Sequence, residues 1–419
     1  MMNMKRCLYL VLLTSLLAGC VSGGAATPFY RYETAKKILN EPPYLQVLLA
    51  EYNNVASAMI KVNTTYAVYS YLPNRDSKFI GLQPLSKQNA TPEPVKVSNN
   101  DGDIVLGGAG NFLGSDIVLV PASSSALILV GPPDGRASKR NYKGRLRIKA
   151  MPNNKIALVN IIDMESYLPG VVSSEMDESW PQDSLAAQAI SARSFAFFRI
   201  KQFAIGVSKK PFDYDLTDDI YSQAYRGEER TGPKTKQAVE QTRGVVMSYE
   251  SKIFNCLFHD TCGGHTEPGD LIFSLTPIPP LAGRNCGFCY HSKHSQWKVE
   301  FTQDEISNAL GLKGAIEAIL VTKTAPGGHA VELLLKISGR NEPIIFQAQK
   351  FRIALNPNKL QSTLFKVTKK DRIFEFIGRG WGHAVGLCQE GTRGMSEKGF
   401  TPLQVLEYYY PQAKVVKIY

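Results

Sequence analysis

Four residues in the second half of the chain have the types and spacing of metal ligands. Cys262 and His265 are separated by two residues, and Cys286 and Cys289 repeat that spacing further along. A two-residue gap lets both side chains of a pair face one ion, and thiolate sulfur and imidazole nitrogen are typical zinc ligands. The spacing therefore predicts a tetrahedral zinc site. Because every ligand would be a protein group, the zinc would be structural.

The cysteine count leaves other interpretations of these residues open. Beyond the first twenty residues the chain has Cys256, Cys262, Cys286, Cys289 and Cys388. An odd set implies either an unpaired thiol or a site that uses an odd number of sulfurs. Three sulfurs at a metal would leave Cys256 and Cys388. Disulfides, which are natural in an oxidising compartment, and free thiols are the alternatives.

A second group of polar side chains lies in a glycine-rich segment near the C-terminus, over residues 378–394, which the pattern predicts to be a loop. Glycine lets a backbone approach a ligand closely. His383 and Gln389 are planar polar groups, and Trp381 could supply an aromatic platform for a sugar. The alternative is that the glycines only shape a turn, while His383 satisfies a buried backbone group.

The strands and helices predicted around these residues indicate an α+β protein. We expect a mixed β-rich body with packed helices and a substrate groove. Short apolar runs broken by turn residues indicate a β-rich N-terminal module over residues 44–140. A buried strand is predicted at Ile156–Ile162 and a turn follows at 168–176. Apolar residues at helical spacing predict helices at Ser184–Phe203, 346–355 and Pro402–Tyr410, and a strand is predicted at Ile373–Gly378.

The N-terminus resembles a bacterial lipoprotein signal. Lys5 and Arg6 precede an apolar run that ends in Ala18-Gly19-Cys20. The run is about 12 residues, too short to span a bilayer as a helix. We therefore predict a signal peptide at 1–19, lipidation of Cys20, a tether at 20–43 and a lipid-anchored place in the cell envelope, facing the periplasm or exterior. A plain secretory signal is the alternative.

The charge balance favours an anionic environment. The chain has 48 Lys and Arg against 37 Asp and Glu, a net charge of +11. The basic residues are scattered and form no nucleic-acid motif, so nucleic acid is not an expected partner. A basic exported protein is expected to meet anionic lipid or anionic wall polymer instead. The alternative is that the scattered charges only form an ordinary solvated surface.

Three stretches, taken together, resemble the SpoIID/LytB family. The first runs from Glu165 to Met176 and continues through 180–196, the second is 258–267, and the third is 378–391 followed by 408–411. Their order and spacing make the resemblance specific, and it covers roughly residues 140–415. It implies a SpoIID/LytB-like domain over 141–419, and it implies work on peptidoglycan.

The resemblance assigns roles to individual residues. Glu175 matches the family's catalytic glutamate, Arg193 matches an arginine that would hold a sugar hydroxyl or orient Glu175, and Gln223 and Tyr225 lie in a further family patch. With His383 and Gln389 these residues are the predicted substrate-binding set. The chain departs from the family where Ala186 replaces a usual lysine, Ala384 a usual glycine and Glu390 an aromatic residue. Zinc occurs in part of the family.

Two functions follow from the two branches of the family. The leading one is a lytic transglycosylase that cuts glycan strands stripped of their peptides and leaves 1,6-anhydro ends, with Glu175 as acid and base and no cofactor needed for catalysis. The alternative is a non-catalytic module that binds peptidoglycan and enhances a wall amidase. The expected partners are glycan strands, an N-acetylmuramoyl-L-alanine amidase and the membrane that holds the lipid on Cys20.

Overall fold

The computed structural model describes residues 33–34, 39–71, 85–88, 93–107, 113–134, 139–204 and 212–419. The predicted signal peptide, Cys20 and most of the predicted tether lie outside these residues. The described part is a mixture of helices and strands, 23% helical and 37% strand, which confirms the predicted α+β class. None of its helices combines the length and apolarity needed to cross a bilayer.

The first part of the described chain is made of strands, which are β1 (Glu33–Thr34), β2 (Tyr44–Val55), β3 (Ser57–Val62), β4 (Tyr66–Ser70), β5 (Ser86–Gln88), β6 (Val95–Asn100), β7 (Asp103–Leu106), β8 (Asp116–Pro121), β9 (Ile128–Gly131), β10 (Arg140–Tyr142), β11 (Arg145–Met151) and β12 (Lys155–Asp163). Buried and more exposed residues alternate along β3 and β7, as expected for strands with one face on a core. The predicted β-rich character of this region is confirmed.

Three helices and two strands follow in chain order: α1 (Met164–Glu175), α2 (Gln182–Ala204), β13 (Leu216–Thr217), α3 (Pro233–Gln241) and β14 (Val245–Tyr249). The prediction of a turn at 168–176 is wrong, because α1 continues through Pro169 and Gly170. The Asp163 carboxylate accepts hydrogen bonds from the backbone N–H groups of Glu165 and Ser166, which caps the helix at its start. Tight packing then outweighs the poor helix propensity of proline and glycine.

The rest of the chain consists of short strands and helices: β15 (Lys252–Ile253), β16 (Phe258–His259), β17 (His265–Thr266), α4 (Gly269–Phe273), β18 (Arg284–Asn285), β19 (Trp297–Thr302), α5 (Gln303–Leu310), β20 (Ile316–Thr324), β21 (Ala330–Ile337), β22 (Ile344–Gln347), α6 (Ala348–Ala354), β23 (Phe365–Lys370), β24 (Ile373–Gly378), β25 (Leu387–Cys388), α7 (Gln389–Glu397), α8 (Pro402–Tyr409) and β26 (Lys414–Lys417).

Two sheets organise the N-terminal half. One has seven strands in the order β13-β2-β12-β11-β8-β4-β5, and the other has five in the order β10-β9-β3-β6-β7. The strand β2 pairs with β12 along most of its length, so strands from both sides of residue 140 share one sheet. The domain boundary at 140/141 stays a prediction. Within the predicted tether, β1 pairs with β26 at the other end of the chain.

The helix α2 confirms the predicted helix at 184–203. Five of its alanines, Ala186, Ala187, Ala189, Ala192 and Ala196, have no exposed surface. Small side chains let α1, α3 and β14 approach it closely, as the sequence predicted.

Residues 297–378 form an insertion with its own apolar core. Two three-stranded sheets, β19-β24-β23 and β20-β21-β22, enclose side chains such as Trp297, Phe351 and Phe376. The predicted strand at Ile373–Gly378 is confirmed, and α6 falls within the predicted helix at 346–355. The insertion separates the second and third stretches that resemble the family.

The prediction of a loop over 378–394 is wrong for its last six residues, because α7 begins at Gln389. The loop ends there because the Cys388 sulfur accepts a hydrogen bond from the Gly391 N–H and caps the helix. Before it, Gly380, Gly382 and Gly386 all have positive φ, which glycine adopts without steric cost. The predicted helix at 402–410 is confirmed as α8.

Candidate active site

Glu175 is the last residue of α1, and two other segments hold its carboxyl group. Its Oε1 accepts a hydrogen bond from the backbone N–H of Ala224 at 2.8 Å, and its Oε2 accepts one from Nε2 of Gln389 at 3.1 Å. The three residues are far apart in the chain. The fold therefore brings together the end of α1, the loop after β13 and the start of α7 at one carboxyl group.

The surroundings of Glu175 favour its protonated form. The side chain is half-buried, next to the buried Val172 and Met176. Burial raises the pKa of Glu175, and the negative charge of Asp260 raises it further, whereas the hydrogen bonds from Gln389 and Ala224 act in the opposite direction. The net effect is a raised pKa, so this carboxyl keeps its proton to a higher pH than a free glutamate. A general acid needs this property.

Asp260 was not singled out as a site residue by the sequence, although it lies in the second family-like stretch. Its side chain is half-buried, and its Oδ1 accepts a hydrogen bond from the Thr261 hydroxyl at 2.5 Å. Its backbone carbonyl accepts a hydrogen bond from the N–H of Glu390 at 3.0 Å, which ties this stretch to the start of α7. A charge effect between two carboxyl groups depends on three-dimensional distance, so spacing in the sequence does not reveal it.

Gln389 was predicted to bind substrate, and the structure places its amide on Glu175 instead. Only 2% of the residue is exposed. A side chain in that position orients the carboxyl group and tunes its pKa. Gln389 is therefore a positioning residue for Glu175.

Gln223 and Tyr225 were also predicted to contact substrate, and their positions contradict a direct contact. Both are 1% exposed. Gln223 accepts a hydrogen bond from the Tyr167 hydroxyl at 3.2 Å and donates one to the Ala192 carbonyl at 3.1 Å, and the Tyr225 hydroxyl donates to Asn160. They anchor the loop on either side of Ala224 and so place the N–H group that binds Glu175.

The prediction that Arg193 holds a sugar or orients Glu175 is also corrected. Its guanidinium has no exposed surface and forms a two-pronged pair with the Glu165 carboxylate, at 2.9 Å from Nε to Oε1 and 2.8 Å from Nη2 to Oε2. Its remaining N–H groups donate to the carbonyls of Val239 and Val245. With every direction occupied inside the protein, Arg193 ties α2 to α1 and to β14.

His383 lies in the glycine-rich loop and is half-buried. Its Nδ1 accepts a hydrogen bond from the Val385 N–H at 3.1 Å, and its ring packs 5.1 Å from the ring of Phe273. Burial lowers its pKa well below the usual histidine value, so the ring is neutral. This arrangement matches the alternative of a histidine that satisfies the backbone of its loop. Trp381 is half-buried against the ring of His294.

Four cysteines meet in a buried cluster, which we call the thiol cluster. The sulfur atoms of Cys262, Cys286, Cys289 and Cys388 all lie within 4.8 Å of one another. Of the four residues predicted from spacing as metal ligands, Cys262, Cys286 and Cys289 lie in this cluster, whereas His265 lies outside it, with its Nδ1 3.6 Å from the Glu267 carboxylate. Cys388 takes the fourth place because the fold brings the third stretch onto the second, across 126 residues.

A cavity of about 810 Å³ opens on the insertion, lined by Trp297, Lys298, Phe365, Lys366, Ile377 and Arg379, among others. Its lining includes neither Glu175 nor Gln389. The groove predicted for substrate therefore does not coincide with this cavity.

Comparisons with known proteins find a family match over the region that contains Glu175. Residues 152–249 match the family model described as Stage II sporulation protein, and residues 287–386 match a domain of unknown function (DUF8618). The second match corresponds closely to the insertion.

Three relatives illustrate the range of similarity. An uncharacterised protein of Brachyspira hyodysenteriae is 31% identical over 268 residues, which cover 63% of this chain and 69% of the relative. Stage II sporulation protein D of Bacillus subtilis is 27% identical over 67% of this chain and 83% of its own. The amidase enhancer of Bacillus subtilis is 22% identical over 58% of this chain and 39% of its own. The chain belongs to the SpoIID/LytB family, and its function is therefore related to the cell wall.

Proposed function

We propose that the protein is a lytic transglycosylase that cuts peptide-stripped glycan strands of peptidoglycan, with Glu175 as its acid and base. The observation that carries the proposal is the environment of Glu175, a half-buried carboxyl with a raised pKa and both oxygens held by protein donors. Its position in the first family-like stretch supports the same role.

The chemistry needs only one such group. Glu175 in its acid form donates its proton to the oxygen of the glycosidic bond as that bond breaks. The resulting carboxylate then takes the proton of the sugar's own C6 hydroxyl, whose oxygen attacks the anomeric carbon and closes a 1,6-anhydro ring. Glu175 ends protonated and no water is consumed. One carboxyl group is thus sufficient for this reaction, whereas ordinary glycoside hydrolysis uses two.

The two hydrogen bonds to Glu175 suit both steps. Each carboxyl oxygen has a lone pair left after it accepts from Gln389 or Ala224, so a proton can reside there. When the proton leaves, the same donors stabilise the negative charge that remains. They also hold the carboxyl group in one orientation, which reduces the entropy lost when the reactive geometry forms.

A second function, an enhancer that binds wall polymer and activates an amidase, is favoured by one observation. The family lysine is replaced by Ala186, which has no exposed surface, and in the described part of the chain no lysine or arginine forms an ion pair with Glu175. An acid without a nearby cation is not assisted in placing an anionic substrate. The similarity to an amidase enhancer points the same way.

The test is mass spectrometry of stripped glycan strands after incubation with protein that begins after Cys20. Wild type is expected to yield products with 1,6-anhydro ends, and Glu175→Gln to yield none. Asp177→Asn is the matched control, an exposed carboxylate two residues away, and should cleave like wild type. Intact strands with folded wild type, together with stimulation of an amidase that survives Glu175→Gln, would establish the enhancer instead.

The place of action is part of the proposal. Lipidation of Cys20 would hold the protein on a membrane of the cell envelope, facing the periplasm or exterior, where an N-acetylmuramoyl-L-alanine amidase supplies stripped strands. Cys20→Ser should move the protein from the membrane fraction to the soluble fraction. Retention of that variant in the membrane fraction would contradict the lipid anchor.

A further inference from the structure

We propose that the thiol cluster binds one zinc ion through Cys262, Cys286, Cys289 and Cys388, and that this ion fixes the start of α7 so that Gln389 can hold Glu175. The metal site stands on the geometry of the four sulfurs alone. Only the effect on Glu175 rests on the proposed function.

The distances between the sulfurs suit one tetrahedral ion. Zinc–sulfur bonds of about 2.3 Å place tetrahedral sulfurs about 3.8 Å apart. In the cluster, Sγ of Cys262 lies 3.5 Å from Sγ of Cys289, and no pair among the four is more than 4.8 Å apart. All four residues are buried, and none forms a disulfide. Four buried sulfurs that converge on one point without bonding match the closed ligand set of a structural zinc site.

Donors around the cluster point at the sulfurs. The N–H of Cys262 and the N–H of Gly391 both donate to Sγ of Cys388, at 3.3 and 3.4 Å, and the N–H of Gly264 donates to Sγ of Cys262 at 3.4 Å. The Tyr409 hydroxyl lies 3.1 Å from Sγ of Cys286. Such donors stabilise the negative charge that a metal-bound thiolate retains, and they orient the ligands.

The backbone at Gly391 packs directly against the thiol cluster. A Cβ atom on Gly391 would lie 2.8 Å from Sγ of Cys286 and would also collide with the Tyr409 hydroxyl. Glycine at this position allows the first turn of α7 to pack directly on the sulfurs. The start of α7 is therefore built against the cluster.

The ligands come from three segments that the fold must hold together. Cys262 belongs to the second family-like stretch, Cys286 and Cys289 precede the insertion, and Cys388 follows it. An ion bound to all four would link both ends of the insertion to the second stretch. Cys388 is also the cap of α7, and the next residue is Gln389, whose amide binds Glu175. Metal binding would thereby set the position of Gln389.

The first experiment measures metal without measuring catalysis. Full-length protein purified without chelator should contain one zinc per chain by plasma mass spectrometry. After exchange with cobalt(II), it should show the sulfur-to-cobalt charge-transfer absorption of a tetrahedral thiolate site. Cys388→Ser should lose the metal, whereas Cys256→Ala, which removes the buried cysteine outside the cluster, should keep one ion.

A milder variant guards against loss of folding. Tyr409→Phe removes only the hydroxyl next to Cys286. It should weaken zinc binding about tenfold, as is typical when a group that hydrogen-bonds to a metal ligand is lost. Folded wild type without metal, iron in place of zinc, or a disulfide between any two of the four cysteines would overturn the zinc site.

The second experiment tests the link to Glu175. Gln389→Ala should retain one zinc and the cobalt spectrum but cleave strands more slowly than wild type, and zinc removal by a chelator should also lower the cleavage rate of wild type. Full cleavage by metal-free protein would overturn the link and leave the metal site standing. If wild type with zinc fails to cleave, the proposed function fails and the metal site does not.

Discussion

The two ends of α1 carry glutamates with opposite surroundings. Glu165, in the first turn, is buried and faces the Arg193 guanidinium, the Tyr419 hydroxyl at 2.5 Å and the Gly244 N–H. Glu175, at the last residue, faces an amide, a backbone N–H and another carboxyl group. Burial acts on both, but the cation at Glu165 overcomes it and lowers the pKa, whereas at Glu175 the pKa is raised.

This contrast separates a structural carboxylate from one suited to chemistry. Both residues are glutamates of the first family-like stretch, so residue type alone does not distinguish them. The charge of the partner does, because an arginine stabilises the ionised form and an amide with a nearby carboxyl does not. The same helix thus anchors the fold at one end and presents an acid at the other.

The largest expected effect is on catalysis. Glu175→Gln should lower the rate of 1,6-anhydro end formation by about 10²–10⁴-fold, because general acid and base catalysis is lost. Its free energy of unfolding should change little, since the amide keeps the shape of the side chain. Initial rates and urea unfolding curves of the variant measure the two quantities. A marked loss of stability with normal cleavage would reverse the roles assigned to the two ends of α1.

The next largest effect is on stability, at the other end of the helix. Arg193→Gln leaves the buried Glu165 carboxylate without its cation and should lower the free energy of unfolding by about 3–5 kcal/mol. The matched control is Arg372→Gln, which breaks an exposed pair with Asp304 and should cost less than about 1 kcal/mol. Urea unfolding checks both. Equal effects would mean that burial of the Glu165–Arg193 pair does not matter.

The opposite pKa shifts predict opposite effects of pH on stability. The folded pKa of Glu165 is lowered, so its contribution is present above the unfolded value of about 4.3 and is lost as the pH falls through the folded value. The folded pKa of Glu175 is raised, so its contribution is present below that unfolded value and is lost as the pH rises through the folded value. Glu175→Gln should therefore lose less stability than wild type as the pH rises over that window. Parallel melting curves against pH would contradict the raised pKa.

The hydrogen bond from Gln389 to Glu175 can be removed by a single substitution. Gln389→Met deletes a hydrogen bond that lowers the pKa of Glu175, so the pKa should rise further. The fall in cleavage rate on the alkaline side should then move to higher pH, which a pH profile of the rate measures. An unchanged profile would show that Gln389 does not act on this carboxyl group, and a shift to lower pH would show that it raises the pKa rather than lowers it.

The smallest effect concerns the loop that leads to Gln389. Ala384 has φ of 63°, in the left-handed region, and its carbonyl accepts a hydrogen bond from the Glu267 N–H at 2.6 Å. Ala384→Gly should raise the free energy of unfolding by about 1 kcal/mol because it relieves this strain. Ala196→Gly, within α2, should have the opposite sign. Loss of stability in Ala384→Gly would show that the methyl group of Ala384 contributes more through packing than it costs in strain.

Much of the fold could be predicted from the sequence because its signals are local. The strands at 156–162 and 373–378 and the helix at 184–203 follow from apolar spacing and turn residues, which act over a few positions. The two errors, at 168–176 and at 389–394, occur where glycine or proline suggests a turn. There, tertiary packing and a capping cysteine form a helix in spite of the local propensity.

The residues of the candidate site likewise separate into those that the sequence identified and those that only the tertiary structure revealed. By itself, the sequence determined that Glu175 stands in a motif for wall chemistry and that Cys262, Cys286 and Cys289 have ligand spacing. The tertiary structure alone decided that Arg193 binds Glu165, that Gln389 binds Glu175 and that Cys388 joins the thiol cluster. The physical reason is that pKa shifts, ion pairs and metal ligation depend on distances of a few ångströms between residues that are far apart in the chain.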